Sequence, residues 1–67
     1  EPTALGTLTM LIAQNNGSIV NLKIANRSKA FVEVIVDIEV RDVRHLTNII
    51  AALRATTVIS AVERARN

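Results

Sequence analysis

The hydrophobic period of the chain changes abruptly near its middle, and this change constrains the fold more than any other feature. From Val32 to Val40 every even position is apolar, and a period of two predicts a β-strand. The next apolar residues follow a helical spacing instead: Val43, Leu46, Ile49, Ile50 and Leu53. The switch predicts a strand that leads directly into an amphipathic helix, and neither apolar face carries a reactive group.

The composition favours one small domain that shares its apolar surface with a partner. The chain has 67 residues, of which 49% are hydrophobic, with two Gly, one Pro and no Cys. A domain of this size forms only a marginal core by itself, so we expect a partner to cover part of the apolar surface. Without Cys there is no disulfide framework, and no apolar run approaches the ~20 residues of a membrane span.

Turn-forming residues divide the chain into five predicted elements. We predict helices over residues 4–15 and 42–55, and strands over residues 19–25, 31–40 and 58–65. Pro2 begins the first helix, Asn15–Gly17 ends it, and Asn26–Lys29 turns between the first two strands. The alternation of side chains along a strand then predicts one apolar face on each of the first two strands. This face contains Val20, Leu22 and Ile24 on the first strand and Val32, Val34, Val36 and Ile38 on the second.

The order α-β-β-α-β predicts an α+β fold of the ferredoxin-like class. One additional strand before Glu1 would complete the β-α-β-β-α-β pattern, in which the first strand lies in the middle of an antiparallel sheet. We therefore expect two helices on one face of the sheet and a first strand that is missing from the chain. We also expect a homodimer, formed side by side or by strand exchange. Truncating Ile49 or Leu53 to Ala should cost about 2–5 kcal/mol.

Residues able to carry out chemistry are few. Nucleophilic catalysis needs a Ser or Thr near a His base and an orienting acid, but the only histidine, His45, precedes a helix-stripe residue and is predicted to be partly exposed. Asp37, Glu39 and Asp42 lie close in sequence, yet no Gly-bearing metal loop frames them, so we interpret them as solvated. Walker and dinucleotide glycine patterns are absent. We expect no catalytic residue, no metal site and no cofactor in this domain.

Basic residues lie around the predicted hairpin turn and near the end of the chain: Lys23, Arg27, Lys29, Arg64 and Arg66. Such clusters can contact phosphates, although solvated cations that keep a protein soluble are the more common case. Phe31 is the only aromatic residue, so a sheet that stacks RNA bases on aromatic rings is not expected. We interpret Phe31 as a packing residue at a strand end.

Two segments resemble the ACT domain of the RelA/SpoT family. The sequence RDVRHLTNIIAALR at 41–54, with VISAVER at 58–64, is similar to the family's second helix and terminal strand. The sequences ALGTL at 4–8 and GSIVNL at 17–22 are similar to the first helix and second strand of ACT domains. The resemblance covers essentially the whole chain, so residues 1–67 are interpreted as one ACT-like domain.

The resemblance implies a regulatory domain of a larger, cytoplasmic enzyme. Enzymes of this family make and hydrolyse guanosine penta- and tetraphosphate (ppGpp) in the stringent response, and their catalytic centres would lie in other domains. The domain itself would therefore not be an enzyme. ACT domains generally pair side by side and bind small molecules, often amino acids, so the resemblance also implies allosteric regulation by a bound ligand.

Carried over by position, the resemblance implies a ligand site made of two segments. The first is the loop after Pro2, with Thr3, Ala4, Leu5 and Gly6; the second is a strand start, with Ser18, Ile19 and Val20. A free helix N-terminus suits a carboxylate, and Leu5 and Ile19 would contact an aliphatic amino acid, with a branched chain as the first choice. The chain departs from many ACT domains at two positions, where Thr3 replaces a Gly and Ser18 replaces an Asn.

A contact module is the alternative function. It would dock on ribosomal or transfer RNA, or on another domain of its own enzyme, and the basic residues would contact phosphates. Stabilisation by an amino acid favours the sensing function, whereas RNA binding that weakens steeply with salt favours the contact module.

Overall fold

The chain folds into two helices and a β-hairpin, as the sequence predicted. A computed structural model describes the backbone of residues 2–65 and the side chains of residues 4–65, so Arg66 of the basic cluster lies outside the described residues. The elements are α1 (Pro2–Gln14), β1 (Ser18–Arg27), β2 (Val32–Glu39) and α2 (Val43–Arg54). The two strands pair in antiparallel orientation, which confirms the predicted hairpin and the α+β class.

Both helices pack against the same face of the hairpin. Ile12 of α1 and Ile49 and Leu53 of α2 form the buried core, with exposed fractions of 1%, 1% and 6%. Val36 and Ile38 of β2 pack against this cluster. The two-layer arrangement is therefore confirmed, and β2 turns its even-numbered residues toward the helices. Only Val32, at the start of the strand, is exposed among the four predicted members of that face.

Two irregularities in β1 change which of its side chains face the helices. The ladder pairs Ile19 with Ile38 and then Asn21 with Asp37, so Val20 has no partner in the register. A second shift occurs between Ile24 and Asn26. Because an extra residue in one strand reverses the alternation of side chains, Ile19 takes the inward position predicted for Val20. Val20 itself is 58% exposed, so the prediction for that residue is wrong.

The end of α1 is a Schellman turn centred on Asn16. Its φ angle is 66°, in the left-handed region that Asn tolerates. The N–H of Asn16 donates to the carbonyl oxygen of Ala13 at 3.0 Å, and the N–H of Gly17 donates to that of Ile12 at 2.9 Å. This confirms the predicted helix end. A Cβ atom on Gly17 would lie 2.9 Å from methyl carbons of Ile12 and Ile49, so the turn can close on the core only because Gly17 has no side chain.

Residues 58–65 form no strand in the described structure, contrary to the prediction. A turn follows α2, and Ile59 and Val62 then pack against the core cluster without regular secondary structure. A strand requires backbone hydrogen bonds to a neighbouring strand, and the described sheet contains only β1 and β2. The β-branched composition of this segment was therefore not sufficient to make it a strand.

Candidate functional site

The residues predicted to bind a ligand lie at opposite ends of α1. Thr3–Gly6 belong to the first turns of this helix and not to a loop, because Pro2 begins the helix, as the fixed φ angle of proline allows. Ser18–Val20 begin β1, beyond the turn at the other end. The helix rises about 1.5 Å per residue, so Gly6 and Gln14 are separated by roughly 12 Å. One copy of the chain therefore does not bring the two segments together.

The first segment itself contains no acidic residue. Ala4 and Leu5 are partly buried, whereas Gly6 is exposed and has no atom within 4 Å of the position of a Cβ. The first turn of α1 contains no acidic residue. The partial positive charge of the helix N-terminus is consequently not neutralised by the helix itself.

The second segment offers less apolar surface than the sequence implied. Ile19 is partly buried and packs against the core, so most of its side chain is already occupied. Ser18 and Val20 are exposed, because the irregularity after Ile19 turns Val20 away from the helices. Val20 is therefore the apolar side chain that this segment presents outward.

An open apolar trough lies between the helices, β2 and the C-terminal segment. Its helical wall includes Leu5 and Leu8 of α1 and Leu46 and Ile50 of α2, and its far wall includes Ile59 and Val62. Every residue from Val32 to Ile38 borders the trough, regardless of the face to which its side chain points. This continuous contact places the edge of β2 that β1 does not occupy along the trough.

The exposed side of α1 carries no charge. Gly6, Thr9, Met10, Ala13 and Gln14 are exposed and follow a helical spacing, so they form one stripe, which we call the α1 stripe. Met10 is 51% exposed. A helix that lacks charge on every side is usually covered by another element. The exposed residues of α2, in contrast, include Arg44 and Arg54.

His45 is buried, contrary to the prediction of a partly exposed position. Only 4% of the residue is exposed. Nδ1 accepts a hydrogen bond from the N–H of Arg41 at 2.9 Å, and Nε2 lies 2.5 Å from the carbonyl oxygen of Asn15. Asp42 is the N-cap of α2, and its Oδ1 accepts from the N–H of His45 at 2.8 Å.

A different helical spacing would have identified His45. The buried residues of α2 are His45, Ile49 and Leu53, which follow an i, i+4, i+8 pattern. Val43, which was predicted to lie on the apolar stripe of this helix, is 62% exposed. The spacing of four residues between His45, Ile49 and Leu53 indicates that all three lie on the buried face. The prediction instead assigned the apolar Val43 to that face.

The hairpin tip carries exposed cations beside an exposed aromatic ring. Arg27 and Lys29 are exposed, and Phe31 is 57% exposed, so the interpretation of Phe31 as a packing residue is wrong. Ser28 closes the tip: its N–H donates to the carbonyl oxygen of Phe31 at 2.9 Å, and its Oγ accepts from the N–H of Phe31 at 3.2 Å. These contacts hold the aromatic residue next to the cations.

The acidic residues of the hairpin lie on the exposed side of the sheet. Asp37 and Glu39 are exposed, and Asn21 Nδ2 donates to Asp37 Oδ2 at 3.5 Å. Across the part of the chain that the structure describes, no three potential metal ligands come together. In the same residues, no helix is long and apolar enough to cross a membrane.

Comparison with known proteins identifies the family. A family model of the ACT domain matches residues 1–64. The chain belongs to the ACT-domain family. It is 35% identical to GTP pyrophosphokinase rsh of Brucella abortus (strain 2308) over 64 residues, which cover 96% of the chain and 8% of the relative. It is 33% identical to the proteins of the same name from Brucella suis biovar 1 and Brucella melitensis biotype 1, with the same coverage. No solved structure matches.

These matches confirm the resemblance to the ACT domain of RelA/SpoT-type enzymes. The chain spans only 8% of the length of the curated relatives. Its four elements follow the ferredoxin-like plan of ACT domains, which places another strand between the positions taken here by β2 and by residues 58–65. The trough lies in that position, so the ACT plan accounts for its apolar walls.

Proposed function

We propose that this chain is the regulatory ACT domain of a cytoplasmic enzyme that makes and hydrolyses guanosine penta- and tetraphosphate. The match to the ACT family and the similarity to the Brucella GTP pyrophosphokinases support this function. The described residues offer no catalytic arrangement, since the only histidine is buried with both ring nitrogens in hydrogen bonds. Synthesis and hydrolysis would then take place in other domains, and the ACT domain would shift the balance between their states.

We further propose that the domain binds a small aliphatic amino acid between two copies, without a cofactor. The separation of Thr3–Gly6 from Ser18–Val20 along α1 supports the placement of this site between copies. An amino acid is too short to reach across roughly 12 Å of helix. The two segments can form one site only if they come from different copies.

A two-fold axis beside α1 would bring the two segments together. In a two-fold pair each copy presents the same surface to the other. If the axis is perpendicular to α1, the two α1 helices contact each other through the α1 stripe and lie antiparallel. The start of α1 in one copy then lies near the end of α1, and hence near Ser18–Val20, in the other. The free edge of β1 could pair with its copy at the same axis, since only β2 pairs with β1 in the described sheet.

The chemistry of the two segments favours an uncharged side chain in the ligand. The N–H groups at the start of α1 would bind the carboxylate. Leu5 would contact the aliphatic side chain, as predicted, and the exposed Val20 would take the role predicted for Ile19. Neither segment contains an ionisable residue. A charged ligand side chain would therefore lose its hydration without gaining a partner, and charged amino acids should bind more weakly.

Titration calorimetry with valine, isoleucine, leucine, lysine and glutamate tests the proposed ligand. We expect heat from the three aliphatic amino acids, with dissociation constants from micromolar to millimolar, because a ligand of about eight heavy atoms provides limited binding free energy. Val20→Asp should abolish the response while sparing the fold, since Val20 is 58% exposed. Ile35→Asp is the matched control, because Ile35 is 45% exposed on a strand outside both segments.

The absence of heat and of a thermal shift with all three aliphatic amino acids at millimolar concentration would exclude the sensing function. Leu5→Asp tests the helix segment in the same way. Leu5 is partly buried, so the substitution could disturb the fold. The circular dichroism spectrum of the variant must therefore match that of the unmodified chain before a loss of binding is interpreted. Equal heat from lysine and valine would contradict the proposed uncharged site.

The hairpin tip supports a second candidate, a contact with ribosomal or transfer RNA. Exposed Phe31 can stack on an unpaired base while Arg27 and Lys29 contact phosphates. Phe31→Ala and Lys29→Gln should both weaken binding to single-stranded RNA. The salt dependence should fall with Lys29→Gln, since each lost phosphate contact reduces the slope by about 0.7 for a single strand. Binding that neither variant changes would exclude the tip as an RNA contact.

A further inference from the structure

The turn at the end of α1 joins two residues that the fold requires for different reasons. Asn16 has a φ angle of 66°, in the left-handed region that asparagine and glycine tolerate better than other residues. Gly17 has no room for a side chain, because a Cβ atom there would lie 2.9 Å from methyl carbons of the buried Ile12 and Ile49. Together these requirements place an Asn-Gly pair at this turn, and the sequence contains no other such pair.

An Asn-Gly pair reacts with itself in water. Asparagine is a labile residue, and a following glycine makes it more so, because no side chain shields the backbone nitrogen. Once the Gly17 nitrogen has lost its hydrogen to solvent, it attacks Asn16 Cγ and forms a bond to it. The bond from Cγ to Nδ2 breaks, and the leaving group takes up a proton and departs as ammonia. Water then opens the succinimide ring at either carbonyl, which leaves an aspartate or an isoaspartate at position 16.

The folded turn exposes one reacting group and holds back the other. Asn16 is exposed, so water reaches its position, whereas Gly17 is partly buried. The N–H of Gly17 donates to the carbonyl oxygen of Ile12 at 2.9 Å. The hydrogen that must leave before the attack is therefore held in a backbone hydrogen bond. The reaction requires the last turn of α1 to open, and the ends of elements open at a lower free energy than the core.

We propose that Asn16–Gly17 is a deamidation site whose rate is set by the opening of the α1 end. The product weakens the turn that protected it. A carboxylate at position 16 lies at the C-terminal end of α1, where the helix dipole disfavours negative charge. An isoaspartate also adds one carbon atom to the main chain, which moves the Gly17 N–H out of register with the Ile12 carbonyl oxygen.

The same turn connects α1 to two other parts of the fold. The carbonyl oxygen of Asn15 lies 2.5 Å from Nε2 of the buried His45 in α2, and Ser18 begins β1 directly after Gly17. An isoaspartate between these contacts should therefore lower the stability of the junction between the helices and of the start of β1.

Mass spectrometry of the folded chain after prolonged incubation at neutral pH tests the site. Trypsin releases a peptide that ends at Lys23 and contains Asn15, Asn16 and Asn21, so two other asparagines serve as internal references. We expect Asn16 to exchange its amide for a carboxylate faster than either reference. An isoaspartate-specific methyltransferase should label the product. A faster reaction at Asn15 or Asn21, an unreacted Asn16, or a product that is not labelled would overturn the proposal.

Denaturant tests whether the fold controls the rate. In denaturant, Asn16 should react at least about tenfold faster than in the folded chain, because the turn no longer has to open. Ile49→Ala, which loosens the core beside Gly17, should also accelerate the reaction. Val43→Ala should not, since Val43 is 62% exposed on the same helix. Equal rates in the folded and the denatured chain would show that the helix end does not control the reaction.

Asn16→Gly provides the matched variant for the consequence, since glycine accepts a positive φ angle and has no side-chain amide to lose. The unfolding midpoint of the unmodified chain should fall during incubation in proportion to its isoaspartate content. Asn16→Gly, incubated in parallel, should keep its midpoint. An equal fall in both proteins, or an unchanged midpoint in a chain that has fully reacted, would contradict the weakening of the turn.

Discussion

Arg54 donates hydrogen bonds from both Nε and Nη2 to the carbonyl oxygen of Val62, at 3.1 and 2.8 Å. Arg54 is the last residue of α2, and Val62 lies in the C-terminal segment that borders the apolar trough. No described strand pairs with that segment, so the guanidinium group and the packing of Ile59 and Val62 keep it against the core. One exposed side chain thus positions a wall of the trough.

Arg54→Gln should release the C-terminal segment while leaving the helices intact. The loss of two hydrogen bonds from a charged but exposed donor should cost about 1 kcal/mol. Trypsin should cleave after Arg64 faster in this variant, with an unchanged helical circular dichroism signal. Arg44→Gln, which removes an exposed cation from the same helix, is the matched control. Equal cleavage rates in the two variants would show that Arg54 does not hold the segment.

Gly17→Ala should destabilise the domain, whereas Gly6→Ala should not. A Cβ at position 17 would lie 2.9 Å from Ile12 Cγ2 and Ile49 Cδ1, and both side chains are fully buried. Overpacking of this kind costs about 1–3 kcal/mol. Gly6 has no atom within 4 Å of its Cβ position, so alanine there should stabilise α1 by about 0.5–1 kcal/mol. Denaturant unfolding of both variants checks the opposite signs.

Ile49→Ala should cost about 2–5 kcal/mol, because it removes a fully buried core side chain and leaves a cavity. Ile49 is 1% exposed and packs with Ile12 and Leu53 at the centre of the fold. Val43→Ala on the same helix should have little effect, since Val43 is 62% exposed. Thermal unfolding measures both; similar losses in the two variants would contradict the described helix phase.

Met10→Lys should weaken self-association by about tenfold or more, because a two-fold interface places each new charge near its copy. Met10 lies near the middle of the uncharged α1 stripe and is 51% exposed, so the fold should tolerate the change. Thr47→Lys, at an exposed position of α2, should leave association unchanged. Analytical ultracentrifugation over a concentration series tests the pair. Unaltered association of Met10→Lys would place the interface elsewhere.

Local pattern was sufficient to predict the secondary structure from residue 2 to residue 54. The period of two in β2, the helical spacing after it and the Asn15–Gly17 helix end each depend on residues that are close in sequence. The ferredoxin-like class followed from the order of these elements. The prediction was wrong at residues 58–65, because a strand depends on a hydrogen-bonding neighbour as well as on β-branched residues.

The candidate site could be predicted only in part. Resemblance to the ACT family identified two segments, but the length and direction of α1 decide that one copy holds them apart. The side of the sheet on which Val20 lies depends on a shift in the register between β1 and β2. No property of Val20 itself reveals this shift. The sequence by itself thus determined the two helices and the hairpin, their order and the family, since these follow from local spacing and motif. Tertiary structure decided the burial of His45, the outward turn of Val20 and the separation of the two segments that were predicted to bind a ligand, because each depends on how distant parts of the chain are arranged.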